Sequence, residues 1–214
     1  MPVPVSIGTQ GGVALTRDSD APPFVRWIAH VLALNTWDST RCSLLQGLVG
    51  TIAVATDSDQ QRALITAAGG HIHVGGGESQ PPKATIVLSL DSREVSERVP
   101  STGQQDVISV GEVLMQPPLP DWENLTDSFW TLTRQVRGLP ALSLQETSSG
   151  CRIRLGEGPG APYEVHGSAR ELSRFLAGMR FFPEAVYAGD LQIRGTFSQF
   201  STVSGASLKV MFDV

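Results

Sequence analysis

The two halves of this 214-residue chain align with each other as divergent copies of one small strand–helix–strand unit. With a gap of a single residue, the alignment pairs Arg93 with Arg170, Gly111 with Gly189 and Trp122 with Phe200. In each copy, strand-like segments alternate with amphipathic, helix-like segments. A sheet that buries one face needs helices to cover that face. We therefore expect an α+β fold of two related units, with antiparallel sheets covered by helices.

The first unit is predicted to span residues 21–138, after an extended N-terminal arm of residues 1–20. Short segments rich in β-branched residues and bounded by Gly and Asp turns predict an antiparallel meander, with strands at 49–56, 62–67, 71–74 and 83–90. A further strand is expected at 107–115. Helices are expected from Pro23, capped by the polar cluster at 18–20, at 38–46, at 93–99, capped by Asp91 or Ser92, and at 122–137, capped by Asp121.

The second unit is predicted to span residues 139–214. Strands are expected at 142–146, 151–155, 163–166 and 186–194. Residues 207–214 are expected to form a terminal strand or a helix turn, and their composition favours the strand. Ser168 is expected to cap a helix that Gly178 stops in the left-handed conformation. A closing helix is expected at 197–203.

Composition and charge exclude several classes of partner. The chain is 41% hydrophobic and 17% charged, as expected for a packed globule, and its net charge is −5. Its basic residues are scattered singly, so no electrostatic footprint for nucleic acid or an anionic membrane is expected. Two cysteines are too few for a disulfide framework. No metal or other cofactor is predicted.

The N-terminal residues do not read as a signal peptide. They lack a basic flank, and Pro and Gly interrupt the apolar positions. No apolar run approaches the roughly 20 residues that a membrane span needs. We expect a soluble cytoplasmic protein without stable membrane insertion.

One part of the second half resembles a known family. The segments 172–178 (LSRFLAG) and 188–195 (AGDLQIRG), followed by Phe200, are similar to the C-terminal part of sterol-carrier-protein-2-like domains. Those domains carry a helix ending in Gly, a short loop, a G-x-L-x-I-x-G strand and a closing helix. The C-terminal domain of mycothiol-dependent maleylpyruvate isomerases looks similar as well. In the first half the second Gly of the strand motif is replaced by Gln116-Pro117.

The resemblance implies a hydrophobic tunnel between sheet and helices that holds a lipid or another apolar small molecule, without a catalytic set. Large aromatic or flexible groups on the covering elements are the candidates to line such a site. These candidates are Met115, Trp122, Phe129, Met179, Phe181, Phe182, Phe200 and Met211.

Two alternatives stay open. The first is a cofactor-free isomerase or cyclase acting on a small apolar metabolite in bacterial metabolism, with His166 or Asp190 as the titratable group. The second is a homodimeric or docking protein whose cavity is filled by its own side chains.

Other patterns have simpler interpretations. His71 and His73 share one face of a strand and, with Glu78, could begin a metal site, but solvent-facing histidines explain the pattern as well. The glycines at 75–77 and 156–160 lack the phosphate-loop spacing. Ser168 lacks the second Gly of a nucleophile elbow. Capping and solvation explain two possible acid–base pairs, which are Asp91 with Glu94 and Glu112 with Asp121.

Overall fold

The computed structural model of the chain describes residues 4–77, 81–89, 95–100, 111, 113–158 and 160–212. The chain divides into two compact units, Met1–Pro118 (unit 1) and Leu119–Val214 (unit 2). This division falls before the helix that begins at Trp122, whereas the sequence predicts a boundary after residue 138. No helix among the described residues is both long enough and apolar enough to cross a bilayer.

Unit 1 is built, in its described part, on a seven-stranded mixed sheet. Its strands are β1 (Pro4–Gln10), β2 (Val13–Asp18), β3 (Gly50–Thr56), β4 (Arg62–Ala68), β5 (His71–Gly75), β6 (Ala84–Leu88) and β7 (Val95–Pro100). Their order is β1-β2-β5-β4-β3-β6-β7. The pairs β2/β5 and β3/β6 are parallel, and the other neighbours are antiparallel.

The four strands predicted as a meander are present as β3 to β6, but the purely antiparallel order is wrong. The outer edge of β5 is taken by β2, so β6 lies beside β3 and parallel to it. The strand β2 comes from the segment predicted as an extended arm. That segment forms the hairpin β1–β2, whose turn places Gly11 and Gly12 at φ 57° and 79°, as a tight hairpin turn requires.

Two helices precede the central strands of unit 1: α1 (Pro23–Asn35) and α2 (Ser39–Gly47). The residues Ile28, Val31 and Leu32 of α1 are fully buried. The side-chain cap expected from residues 18–20 is wrong, since Pro22 holds the N-cap position without a side-chain bond. Asp18 instead contacts the ring of His73 and accepts from the backbone N–H of Gly76.

The end of unit 1 differs from its sequence prediction. The helix expected at 93–99 is wrong, because residues Val95–Pro100 form β7 and pair with β6. Asp91, Ser92 and Arg93 lie outside the described residues. Residues 113–115 are helical, not the end of a strand. The buried amide of Asn35 donates to the Leu114 carbonyl at 2.7 Å. This carbonyl is therefore bonded to a side chain of α1 and not to a neighbouring strand.

Unit 2 combines a four-stranded sheet, counted over its described residues, with four helices. The strands are β8 (Leu142–Glu146), β9 (Arg152–Leu155), β10 (Tyr163–Gly167) and β11 (Leu191–Arg194), in the order β11-β10-β8-β9. The helices are α3 (Trp122–Thr133), α4 (Ala169–Leu176), α5 (Phe182–Tyr187) and α6 (Phe197–Phe212). The strands β8 and β10 are parallel, and the other two pairs are antiparallel.

Three details of unit 2 test the predicted elements. The strand expected at 186–194 is wrong in its first half, because α5 runs to Tyr187 and β11 begins only at Leu191. Of the two structures considered for 207–214, the favoured strand is wrong and the helical one is present, because α6 continues to Phe212. Its buried residues recur at helical spacing and therefore favour a helix over the β propensity of its last residues; they are Val203, Ala206, Ser207, Val210 and Met211.

The two units share a strand-pairing pattern. In each, a hairpin lies beside a parallel strand that pairs with an antiparallel fourth strand, in the orders β4-β3-β6-β7 and β9-β8-β10-β11. This structural correspondence differs from the sequence alignment of the two halves, which matches the region of β7 with α4. The matched glycines also differ, since Gly111 lies in a helical turn and Gly189 has φ 80° at a helix end.

Candidate ligand-binding site

An open apolar pocket of about 290 Å³ lies in unit 2, where α5 ends, β11 runs along the sheet edge and α6 begins. We call it the rim pocket. It is lined by Val186, Tyr187, Ile193, Gly195, Thr196, Phe197 and Phe200. The residues Tyr187 and Phe197 are each 81% exposed. Among these lining residues there is no carboxylate, imidazole, thiol or amine.

The end of α5 is set by Gly189. The N–H of Gly189 donates to the Val186 carbonyl at 3.1 Å, and the N–H of Asp190 donates to the Ala185 carbonyl at 2.9 Å. These two bonds, with the positive φ of Gly189, form a Schellman cap. The cap ends α5 with Tyr187 at the surface and turns the chain into β11.

The start of α6 is set by a capping box. The hydroxyl of Thr196 accepts from the N–H of Gln199 at 3.2 Å, and the Gln199 amide oxygen accepts from the N–H of Thr196 at 2.8 Å. This reciprocal arrangement is a strong helix start. Because residues three apart share a helix face, the cap presents Phe197 and Phe200 together to the pocket.

Gly195 makes the floor of the pocket possible. A Cβ built on this residue would lie 2.2 Å from Cδ2 of Tyr163, so the Tyr163 ring packs directly against the glycine backbone. Tyr163 is fully buried. Burial raises the pKa of its phenol to about 12, and its hydroxyl has no hydrogen-bond partner among the described residues.

A line of aromatic rings connects the rim pocket with the core. The centroids of Phe200 and Phe182 are 5.7 Å apart, those of Phe182 and Phe175 are 4.9 Å apart, and those of Phe175 and Phe129 are 5.2 Å apart. Phe182, Phe175 and Phe129 are fully buried. The back wall of the pocket is therefore held by core packing.

Three charged residues from the segments around α5, Arg180, Glu184 and Asp190, are paired with one another. Nη2 of Arg180 lies 3.0 Å from Oδ2 of Asp190, and its Nε lies 4.0 Å from Oε2 of Glu184. Side chains alternate along a strand, so Arg194 and Gln192 lie on the face of β11 opposite to Ile193. The pocket wall itself is neutral.

The predicted lining residues are distributed over both units. Phe200 lines the rim pocket, and Phe182 packs behind it. Phe129, Trp122 and Met211 are buried in unit 2, while Met179 and Phe181 are half-buried there. Met115 is buried in unit 1. A ligand-binding role for these residues stays a prediction.

Sequence reasoning did not include most of the residues that line the rim pocket. Tyr187 and Phe197 are not among the predicted lining residues, because Tyr187 is predicted to lie in a strand at 186–194 and Phe197 is expected to pack in the core. One sequence signal could have located Phe197. The pattern Thr196-x-x-Gln199 before an apolar run marks a helix start, and that start places Phe197 at the surface.

The groups considered for the enzymatic alternative do not face the rim pocket. On β10, His166 pairs across the strands with Gln192, and Val165 pairs with Ile193. His166 therefore lies on the opposite face from the pocket residue Ile193, and its Nε2 is 3.5 Å from Oε2 of Glu164. Asp190 is occupied by Arg180.

The candidate metal site is not assembled from the described residues. His71 is exposed, whereas His73 bonds Thr16 through Nδ1 at 3.1 Å and lies 3.2 Å from Asp18 through Nε2. Glu78 lies outside the described residues. Within the described chain no group of three or more His, Cys, Asp or Glu is placed to hold a metal.

The remaining motifs have structural roles where they are described. Ser168 caps α4 by accepting from the N–H of Glu171 at 3.3 Å. Gly178, at φ 67°, ends that helix as predicted. Asp121 holds the N-cap position of α3 without a side-chain cap bond. The glycine clusters end strands, at Gly75 and at Gly156, which packs against Trp130. The candidate partners Asp91, Glu94 and Glu112 lie outside the described residues.

The fold and site define a mixed α and β protein with an apolar pocket at a sheet edge. Comparison with known protein families finds no match, and comparison with curated proteins finds none either. Among solved structures, the chain has a likeness to the solution structure of the sterol carrier protein domain 2 of Helicoverpa armigera. The two share 13% identity with a TM-score of 0.31 over 42% of this chain and 84% of that one. This likeness is too weak to assign a fold or an activity.

Proposed function

We propose that this protein binds a hydrophobic small molecule in the rim pocket of unit 2. The observation that carries the proposal is the pocket itself, which holds about 290 Å³ between three aromatic rings and no charged side chain. Ligand sites are typically concave and mostly apolar. The sequence resemblance to sterol-carrier-like domains implies the same class of ligand.

The exposure of the pocket rings supports a role in binding. Tyr187 and Phe197 each present most of their ring to solvent beside an apolar hollow. Removing apolar surface from water contributes roughly 25 cal/mol per Å². A molecule seated in the pocket would remove both ring surfaces from water together with its own apolar surface.

Titration with the neutral fluorescent probe N-phenyl-1-naphthylamine tests the proposal. We expect saturable binding, weakened about tenfold by Phe197→Ala, which is the effect of losing roughly 50 Å² of apolar contact. Trp37→Ala removes an exposed aromatic ring of unit 1 and is the matched control, expected to leave the affinity unchanged. Equal affinity in all three proteins would overturn the proposal.

A second candidate function is self-association through the same surface. Two observations favour it: β11 is an edge strand, and the exposed rings of Tyr187 and Phe197 lie beside it. Edge strands and apolar patches are common interfaces. Sedimentation analysis over a hundredfold concentration range distinguishes the candidates. A wild-type dimer that Phe197→Ala converts to a monomer supports self-association. A wild-type protein that stays monomeric at every concentration excludes self-association over that range.

The enzymatic alternative has no support at this pocket. Acid–base chemistry needs a titratable group within hydrogen-bond reach of the substrate, and the lining supplies only the Tyr187 phenol. We therefore propose binding without chemistry at this site.

A further inference from the structure

We infer that the ligand of the rim pocket carries a flat, neutral aromatic ring rather than a saturated chain or a cation. This inference rests on the proposed function and names the class of molecule that the pocket selects. The inference depends on two observations: the orientation of the three aromatic rings that line the pocket, and the absence of charged side chains from the pocket wall.

The ring of Phe200 forms the back wall and is fixed in place. It is half-buried, and its centroid lies 5.7 Å from that of the buried Phe182 at an interplanar angle of 40°. The packing behind it keeps the ring of Phe200 from turning away when a ligand arrives. The back wall is thus preorganised, which lowers the cost of binding.

The rings of Tyr187 and Phe197 contact the ring of Phe200 in two different orientations. Tyr187 meets it edge-on, at 6.4 Å and 64°, and Phe197 is tilted against it at 6.0 Å and 34°. Aromatic pairs favour edge-to-face and offset-stacked arrangements over direct face-to-face contact. An incoming ring can therefore extend the existing arrangement with both types of contact.

The absence of charged side chains from the pocket wall favours a neutral ring over a cation. Aromatic residues also bind ammonium groups through cation–π contacts, but none of the residues that line this pocket carries a carboxylate. The nearby acids Asp190 and Glu184 are held by Arg180. A cation would leave water for a neutral wall without a counter-charge, which favours the neutral ring.

The test compares two alcohols of the same carbon skeleton. They are 2-naphthalenemethanol, which is flat and aromatic, and decahydro-2-naphthalenemethanol, which is saturated. We expect the full chain to bind the aromatic alcohol about three to ten times more tightly, as an aromatic contact adds to area burial. Phe197→Leu, at an exposed position, keeps an apolar side chain and is expected to lower this preference, because it weakens the aromatic alcohol more than the saturated one. Trp37→Leu is the control.

The outcomes separate the inference from the proposed function. If both alcohols bind equally, and Phe197→Ala weakens both, the pocket binds apolar molecules and the aromatic inference is overturned. If neither binds up to its solubility limit, the proposed function fails as well. A preference for the aromatic alcohol that survives in the double variant Tyr187→Leu with Phe197→Leu, or displacement of that alcohol by tetramethylammonium, also overturns the inference.

Discussion

The buried ring of Phe182 lies with its centroid 5.7 Å from that of Phe200, which lines the rim pocket. Phe182 also contacts Phe175 at 4.9 Å and Tyr163 at 6.4 Å. One side chain thus joins the aromatic core of unit 2 to its surface pocket. The consequence is that core stability and pocket shape depend on the same packing.

Replacing Phe182 with alanine is expected to destabilise unit 2 by about 3–5 kcal/mol, because truncating a buried Phe removes its apolar burial and leaves a cavity. Urea unfolding followed by fluorescence and circular dichroism measures the loss. Phe197→Ala, at an 81% exposed position, is the matched control and should stay within about 0.5 kcal/mol of the wild type. Similar losses in the two variants would contradict the burial of Phe182.

The two glycines Gly195 and Gly205 are expected to respond oppositely to alanine. A Cβ at Gly195 would lie 2.2 Å from the Tyr163 ring, and such crowding costs about 1–3 kcal/mol. Gly205 lies inside α6, and apart from its own helix backbone no atom lies within 4 Å of its Cβ position, so Gly205→Ala should stabilise by about 1 kcal/mol through helix propensity. Thermal unfolding of the two variants checks both signs, and destabilisation by Gly205→Ala would argue against the helix there.

The phenol of Tyr163 is expected to ionise at unusually high pH. Burial raises its pKa to about 12, against roughly 10 in an unfolded chain. The contribution of the protonated Tyr163 phenol to the free energy of unfolding is therefore fully present below about pH 10. It is lost as the pH rises from there through 12. The chain has two tyrosines, so absorbance titration of the Tyr187→Phe variant reports Tyr163 alone. A midpoint near 10 in the native protein would contradict its burial.

Removing the Tyr163 hydroxyl is expected to leave stability unchanged or raise it. The hydroxyl is buried without a hydrogen-bond partner in the described structure, and an unsatisfied buried polar group costs about 1–3 kcal/mol. Tyr163→Phe keeps the ring that packs on Gly195 and removes only the oxygen. A clear loss of stability in denaturant unfolding would instead indicate that the hydroxyl is bonded.

The carboxylate of Glu146 is expected to make unit 2 sensitive to acid. Hydrogen bonds from the Ser149 side chain and from the backbone N–H groups of Ser148 and Ser149, which donate at 2.8 and 2.5 Å, lower the pKa of this carboxyl to about 2. Because the folded pKa is depressed, the stabilisation is present above the unfolded value of roughly 4.3 and disappears as the pH falls through 2. Glu146→Gln should show a weaker loss of stability over this range, and equal slopes would contradict the role of the carboxylate.

Local signals in the sequence account for the elements that were predicted correctly. The β-branched segments around residues 49–88 and the helical stripe from Phe24 describe single elements, whose period is visible along the chain. Ser168 and Gly178 mark the two ends of α4 by local hydrogen bonding and a left-handed residue. Such features act over a few residues and therefore need no knowledge of the rest of the fold.

The sheet order was decided by tertiary structure, because a strand pairs with whichever edge is free. The hairpin from the N-terminal segment pairs with the edge of β5. The strand β6 pairs instead with β3. Pairing with β6 makes residues Val95–Pro100 a strand, where the sequence alone predicted a helix. Strand propensity depends strongly on such neighbours.

By itself the sequence determined the α and β composition of both units, the ends of α4 and the place of Phe200 on a closing helix. Only the tertiary structure decided that this helix begins at a capping box beside an edge strand. That placement leaves Tyr187 and Phe197 at the surface, although their aromatic character predicts burial. The reason is physical: hydrophobicity favours contact with some apolar surface, but the positions of α5, β11 and α6 determine whether that surface lies in the core or at the rim pocket.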